Sequence, residues 1–136
     1  MSEALIQLVS TAGFRCGATG HSPANREAAR AFGPETAFPT GAPLPAPVDA
    51  VMESVGRAAR SPSPRALRPG GTVVVTGTTT GTDPPALLNR ILRQELCVLG
   101  STSGSPGELK QFITFVRHEH LKPTVSLRLP FARAIE

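Results

Sequence analysis

Glycines and small hydroxyl residues follow two apolar segments of the chain, where they could bind a polar ligand. The β-branched run 72–76 (TVVVT) is followed by Gly77, and the apolar run 97–99 is followed by Gly100 and Ser101. A glycine at the end of a strand has no Cβ, so a ligand can approach the backbone closely. The hydroxyl residues beside it add O–H and N–H groups. The pattern therefore indicates the binding of a polar ligand.

A third strand-like segment, 48–56, ends in Gly56, with Ser54 just before it. A tight crossover between a strand and a helix also requires glycine, and it explains any single one of these positions without a ligand. Three strand ends of the same kind favour a ligand-binding edge, because ligands of open α/β sheets bind at the carboxyl ends of the strands.

The segments between these strand ends alternate between helical and extended patterns. Predicted strands cover 14–19, 36–38, 48–56, 72–76 and 98–100, and a last extended stretch covers 123–131. Predicted helices cover 3–11, 23–32, 84–96 and 105–120, with a weak, Pro-broken helix over 57–67 and a turn over 68–71. This alternation predicts a parallel α/β sheet with helices on both faces.

Composition limits the class of protein. With 136 residues the chain is expected to form one domain over 1–136. Its net charge is +4, but the arginines are scattered and Trp and Tyr are absent, so we do not expect nucleic-acid binding. The sequence has neither a transmembrane-length apolar run nor a secretory signal pattern. Cys16 and Cys97 are expected to be reduced core cysteines, which indicates a cytoplasmic protein.

Other chemistries find little support in the sequence. His118 and His120 lie two positions apart on a predicted helix, so their rings do not converge on one metal ion, and we expect no metal site. Ser61 and Ser63 are explained by a Pro-broken loop. The chain contains no GxSxG elbow and no P-loop lysine, which argues against serine hydrolysis and nucleoside-triphosphate hydrolysis.

Four segments, taken in order, resemble the nucleotide-binding domain of the medium-chain dehydrogenase/reductase superfamily. They are AGFRCGATGHSPANREAARAFG, VDAVMESVG, ALRPGGTVVVTGTTTG and CVLGSTSGSPGELKQFITFV. Members of the zinc-binding dehydrogenase and quinone-oxidoreductase-like branch are the most similar. The resemblance implies a partial doubly wound Rossmann domain with a parallel sheet. It also implies part of an NAD(P)-dependent oxidoreductase, which in its complete form transfers a hydride to a carbonyl or enone.

The resemblance implies cofactor-binding residues at four places and no catalytic residue. The residues at the adenosine ribose and its 2′ substituent are Gly20, His21, Ser22 and Arg26. Those along the rest of the cofactor are Ser54 beneath it, Thr76, Gly77 and Thr78 beside the nicotinamide half, and Gly100 and Ser101 at the next strand end.

The choice between the two nicotinamide cofactors is argued from charge. An NAD site usually has Asp or Glu at the end of the second strand, where the carboxylate would repel a 2′-phosphate. This chain has Gly20, His21 and Ser22 there, with Arg26 one turn into the following helix. A helix N-terminus also favours an anion. We therefore expect NADPH to be preferred over NADH.

The chain also departs from the superfamily. No GxGxxG turn precedes Ala4, so the first strand and the glycine-rich turn are expected to be missing, together with the catalytic domain. The sheet would then have a gap between its halves. We expect a truncated protein that is marginally stable or associates as a homo-oligomer through exposed sheet edges.

Two alternatives remain open. One is a non-catalytic Rossmann-like module with a dimerising or regulatory role. The other is an S-adenosylmethionine-dependent methyltransferase, which would share the LxPGG pattern at 67–71 but whose acidic glycine-rich first motif this chain lacks.

Overall fold

The structure, a computed structural model, describes residues 2–57, 62–82, 86–125 and 127–133. It separates into two compact units, Met1–Gly104 and Ser105–Glu136. All of the described strands lie in the first unit, and the longest described helix lies in the second.

Helices and strands alternate through the first unit. Its helices are α1 (Ser2–Thr11), α2 (Pro23–Arg30), α3 (Pro62–Ala66) and α4 (Leu88–Arg93). Its strands are β1 (Gly17–Gly20), β2 (Thr36–Pro39), β3 (Val48–Glu53), β4 (Leu67–Val75) and β5 (Cys97–Gly100). The predicted order of elements is confirmed. Residues 58–61 of the predicted Pro-broken helix and the proline entry 84–85 of the next helix lie outside the described residues.

The strands form two parallel sheets. β1 pairs with β2, and β3, β4 and β5 form a second sheet in that order. Parallel pairing in both sheets confirms the predicted α/β class. No ladder joins the two sheets within the described residues, in agreement with the expected gap.

The predicted turn over 68–71 is wrong, because this segment belongs to strand β4. Val48 pairs with Leu67 and Ala50 pairs with Thr72, so the register shifts and the extra residues of β4 form a bulge. Gly70 has φ +72° and its N–H donates to the Gln94 carbonyl at 2.8 Å. A Pro-Gly-Gly sequence thus makes an irregularity inside a strand rather than a turn before it.

The core of the first unit is small. Leu67, Val73 and Leu96 are buried together, and partly buried Val51 and Ile91 are among the side chains that pack against them. Val73 is a buried β-branched residue of β4, and such residues suit strands because their side chains pack well on the pleated surface.

Neither of the two predicted core cysteines belongs to the buried core. Cys97 is exposed on β5, because that strand is exposed at every position, whereas Cys16 is partly buried. Partial burial raises the pKa of the Cys16 thiol, because it disfavours the charged thiolate. Neither cysteine forms a disulfide.

Helix α5 (Pro106–His118) begins the second unit with a capping box. The Ser105 N–H donates to Glu108 Oε2 at 2.6 Å, and the Glu108 N–H donates to Ser105 Oγ at 3.3 Å. The predicted helix over 105–120 is confirmed with a slightly earlier end. Its apolar residues Leu109, Phe112 and Ile113 are exposed.

The predicted extended stretch over 123–131 forms no strand in its described part. Residues 127–130 have no regular structure, and a 3₁₀ turn covers Phe131–Arg133. Residue 126 lies outside the described residues. None of the described helices is long and apolar enough to cross a membrane.

Candidate functional site

The carboxyl ends of β3, β4 and β5 lie side by side. Glu53 pairs with Val75, and Val75 pairs with Gly100. The Thr76 N–H donates to the Glu53 carbonyl at 2.7 Å, and the Ser101 N–H donates to the Val75 carbonyl at 2.9 Å. This register brings together six predicted site residues at the carboxyl ends of the three strands. They form the strand-end group: Ser54, Thr76, Gly77, Thr78, Gly100 and Ser101.

The two glycines of the strand-end group have opposite surroundings. A Cβ on Gly77 would lie 2.7 Å from the Ser54 carbonyl oxygen, so the backbone of the loop after β3 already requires glycine there. A Cβ on Gly100 would have no heavy atom within 4 Å. The glycine at 77 is thus explained by the packing of two loops. The backbone at Gly100, by contrast, is open to approach.

The loops after β3 and β4 also contact each other at Gly56. This residue has φ +88°, a conformation that favours glycine, and a Cβ there would lie 2.7 Å from the Gly81 carbonyl oxygen. The Val55 carbonyl accepts hydrogen bonds from the Thr79 hydroxyl at 3.2 Å and from the Thr80 hydroxyl at 2.7 Å. These two hydroxyls therefore hold the loops together, and Thr78, like them, is exposed.

Glu53 is a feature of this edge that sequence reasoning missed. Its side chain is buried, with 2% of its surface exposed, and Oε1 accepts from the Val55 N–H at 2.6 Å and the Gly56 N–H at 3.0 Å. Its Oε2 is buried without a hydrogen-bond partner. The available signal was a glutamate directly after the apolar residues Ala50, Val51 and Met52, because carboxylates are rarely buried without a specific partner.

The other predicted site residues form a second group at the carboxyl end of β1. The β1-end group consists of Gly20, His21, Ser22 and Arg26. Ser22 is the N-cap of α2, and its side chain accepts from the Asn25 N–H at 3.1 Å. His21 is exposed, and Ser22 and Arg26 are partly buried.

Arg26 folds back over the end of β1. Its Nη1 donates to the Gly20 carbonyl at 3.1 Å and to the His21 carbonyl at 3.3 Å. A Cβ on Gly20 would lie 2.9 Å from Arg26 Cγ, so the arginine stem occupies the space that a larger residue would need. The guanidinium is thereby fixed beside the N-terminus of α2, and both favour an anion.

The segment leading up to Arg26 carries no carboxylate that could oppose the positive charge of the guanidinium. The segment 17–26 contains no Asp or Glu. The first acidic residue after it, Glu27, forms an ion pair with Arg30 at 2.7 Å. The structure therefore assembles each group of predicted site residues at a strand end, but in two separate sheets.

No group of three or more His, Cys, Asp or Glu side chains that could hold a metal ion occurs in the described ranges. His118 Nδ1 lies 2.9 Å from Glu119 Oε1 at the exposed end of α5.

A family model described as zinc-binding dehydrogenase matches residues 2–118. The chain belongs to the zinc-binding dehydrogenase family. The resemblance found in the sequence is thus confirmed. A comparison with curated protein sequences gives no match.

Solved structures show the same fold. The structure of AibC superposes with a TM-score of 0.85 at 24% identity, over 97% of this chain and 43% of that one. An NAD-dependent alcohol dehydrogenase has a TM-score of 0.79 at 25% identity, over 90% and 39% of the two chains. The crotonyl-CoA carboxylase/reductase AntE, in complex with NADP, has a TM-score of 0.81 at 18% identity, over 91% and 39%.

These similarities confirm the Rossmann-like nucleotide-binding fold of the zinc-binding dehydrogenase family. They also show that the chain spans only about two fifths of the length of the structures it matches, since the covered shares of those chains are 43%, 39% and 39%.

Proposed function

We propose that this chain is the NADPH-binding portion of an oxidoreductase of the zinc-binding dehydrogenase type. In the complete enzyme the cofactor would supply a hydride for the reduction of a carbonyl or enone. The residues of this chain would bind and orient the cofactor through two groups of residues at strand ends, with the β1-end group at the adenosine ribose and the strand-end group at the nicotinamide half.

The fixed position of Arg26 is the observation that carries this proposal. Nη1 is engaged by the two carbonyls at the end of β1, so the other N–H groups of the guanidinium can donate to a 2′-phosphate. A carboxylate that would select the 2′-hydroxyl of NADH is absent from 17–26.

Similar structures support a nicotinamide cofactor but favour neither form. One of them is an NAD-dependent alcohol dehydrogenase, and another is a crotonyl-CoA carboxylase/reductase in complex with NADP. The preference for NADPH therefore depends on the residues of this chain.

Substitution of Arg26 tests the proposal. Arg26→Ala is expected to weaken NADPH binding about 10-fold to 100-fold, because hydrogen bonds to charged groups contribute roughly 1.5–3 kcal/mol. NADH binding should change by less than about twofold, because NADH has no 2′-phosphate. Isothermal titration calorimetry measures both affinities.

Arg30→Ala is the matched control. Arg30 lies on the same helix but pairs with Glu27, so its loss should affect both cofactors equally and weakly. Equal losses of NADPH and NADH affinity in Arg26→Ala would contradict the assignment of Arg26 to the 2′-phosphate. If the unaltered chain binds neither cofactor, a non-catalytic module becomes the better explanation.

A further inference from the structure

A buried carboxylate lies beneath the strand-end group. Glu53 is the last residue of β3, and its side chain is 2% exposed. Burying a charged group is costly unless it is hydrogen-bonded, so an apolar residue would be the cheaper choice for packing alone. Packing alone therefore does not explain a carboxylate at this position, whereas its hydrogen bonds can.

Both of its hydrogen bonds go to the loop after β3. Oε1 accepts from the N–H groups of Val55 at 2.6 Å and Gly56 at 3.0 Å. Here the chain leaves the ladder with β4, so these N–H groups have no strand partner, and unpaired backbone donors are costly when buried. Hydrogen bonds to a carboxylate are roughly twice as strong as those to a neutral acceptor.

The loop held by Glu53 in turn holds the loop after β4. The Val55 carbonyl accepts from the Thr80 N–H at 2.8 Å as well as from two threonine hydroxyls. Gly56 contacts the other loop directly, since a Cβ there would lie 2.9 Å from Thr78 Cα. A single carboxylate oxygen thus fixes the loop that carries Ser54 and, through it, the loop that carries Thr78.

We propose that Glu53 is a positioning residue that holds these two loops in the one arrangement able to bind the nicotinamide half of the cofactor. Its role for the cofactor rests on the proposed function, whereas its role for the loops does not. Oε2, which has no partner, adds nothing to this fixation, so an uncharged acceptor in the place of Oε1 should preserve much of it.

Amide hydrogen exchange of the full chain, followed by NMR, tests the fixation of the loops. In the unaltered protein we expect protected N–H groups at Val55 and Gly56. Glu53→Met keeps a similar volume but removes the acceptor, and exchange at both amides should accelerate by about tenfold or more. Glu53→Gln keeps an acceptor oxygen and should restore most of the protection.

Leu96→Ala serves as the destabilised control. Leu96 is a core residue, and it takes no part in the hydrogen bonds of the Glu53 carboxylate. Its loss should therefore lower stability without selectively exposing Val55 and Gly56. If Glu53→Met does not fold, Glu53→Asp replaces it, because a side chain shorter by one methylene should leave at least one of the two N–H groups unbonded.

A titration with NADPH at a temperature where every variant is folded tests the role in binding. Glu53→Met should weaken affinity about tenfold or more, Glu53→Gln should recover most of it, and Leu96→Ala should change it by less than about twofold. Unchanged exchange at Val55 and Gly56, or equal affinity in Glu53→Met and Leu96→Ala, would overturn the inference. If the unaltered chain binds no nucleotide, the proposed function alone fails, and the exchange measurement still decides whether Glu53 holds the loops.

Discussion

Gly77 and Gly100 have the same sequence signature but different physical reasons for being glycine. Both stand at the end of a β-strand next to a hydroxyl residue. Gly77 faces the Ser54 carbonyl, where a Cβ would lie at 2.7 Å, while Gly100 faces open space. The missing Cβ thus allows two loops to pack closely at Gly77, whereas at Gly100 it leaves the end of β5 open.

This difference predicts unequal costs for the same substitution. Gly77→Ala should lower the free energy of unfolding by about 1–3 kcal/mol, because either the loop or the Ser54 carbonyl must move. Gly100→Ala should stay within about 0.5 kcal/mol of the unaltered chain. Urea unfolding followed by circular dichroism measures both, each variant being the control for the other. Equal costs at the two positions would show that the contact with Ser54 does not constrain Gly77.

At the scale of the element, the start of α5 is set by a single pair of residues. The backbone N–H of Ser105 donates to the Glu108 carboxylate. This hydrogen bond is the main reason why the pKa of Glu108 lies below its ordinary value of 4.5, and a hydrogen bond with the Ser105 side chain lowers it further. The ionised carboxylate is therefore part of the helix cap.

The lowered pKa predicts a pH dependence of the helix start. Because the pKa is lower in the folded chain than in the unfolded one, the carboxylate stabilises the helix fully above 4.5. This contribution is lost as the pH falls through the folded pKa. The Ser105 amide resonance, followed by NMR from about pH 6 to pH 3, should shift with a midpoint below the ordinary value.

Glu108→Gln provides the control for that titration, since glutamine can still accept the hydrogen bond but does not ionise. The Ser105 resonance should then show no step in this range. A midpoint at or above 4.5 in the unaltered chain would mean that the capping hydrogen bond is not formed in solution.

Elements whose signals are local could be predicted from the sequence. Ser22-Pro23 and Ser105-Pro106 each combine an N-cap with proline at the first helical turn, and both helices begin there in the structure. The start of β4 could not be predicted, because the Pro-Gly-Gly sequence favours a turn and only pairing with β3 and the Gln94 carbonyl keeps it in a strand.

The candidate site could be predicted only in part for a similar reason. The sequence pointed to the strand ends, and the register of β3, β4 and β5 brings them to one edge. It could not show that Thr79 and Thr80 bond the Val55 carbonyl, or that Glu53 bonds two backbone N–H groups. Such contacts depend on how two loops pack, which neither periodicity nor spacing encodes.

At the scale of the whole molecule, a small core coexists with a large amount of exposed apolar surface. β5 is one of the two outer strands of its sheet, and its residues Val98 and Leu99 are 40% and 54% exposed. An outer strand offers unpaired N–H and C=O groups to another chain, and exposed apolar side chains make such pairing favourable. Self-association through this edge therefore remains a prediction.

Leu99→Lys tests the prediction, because a lysine on an edge strand disfavours pairing with a second strand by charge repulsion and by the loss of apolar contact. In sedimentation velocity, the unaltered chain should show a growing fraction of larger species as the protein concentration rises. Leu99→Lys should shift this growth to about tenfold higher concentration, which corresponds to roughly 1.4 kcal/mol of association free energy. Thr102→Lys introduces the same charge at an exposed position beyond the strand and should leave the association unchanged. If both variants reduce association equally, net charge rather than the β5 edge governs it, because only Leu99 lies within the strand.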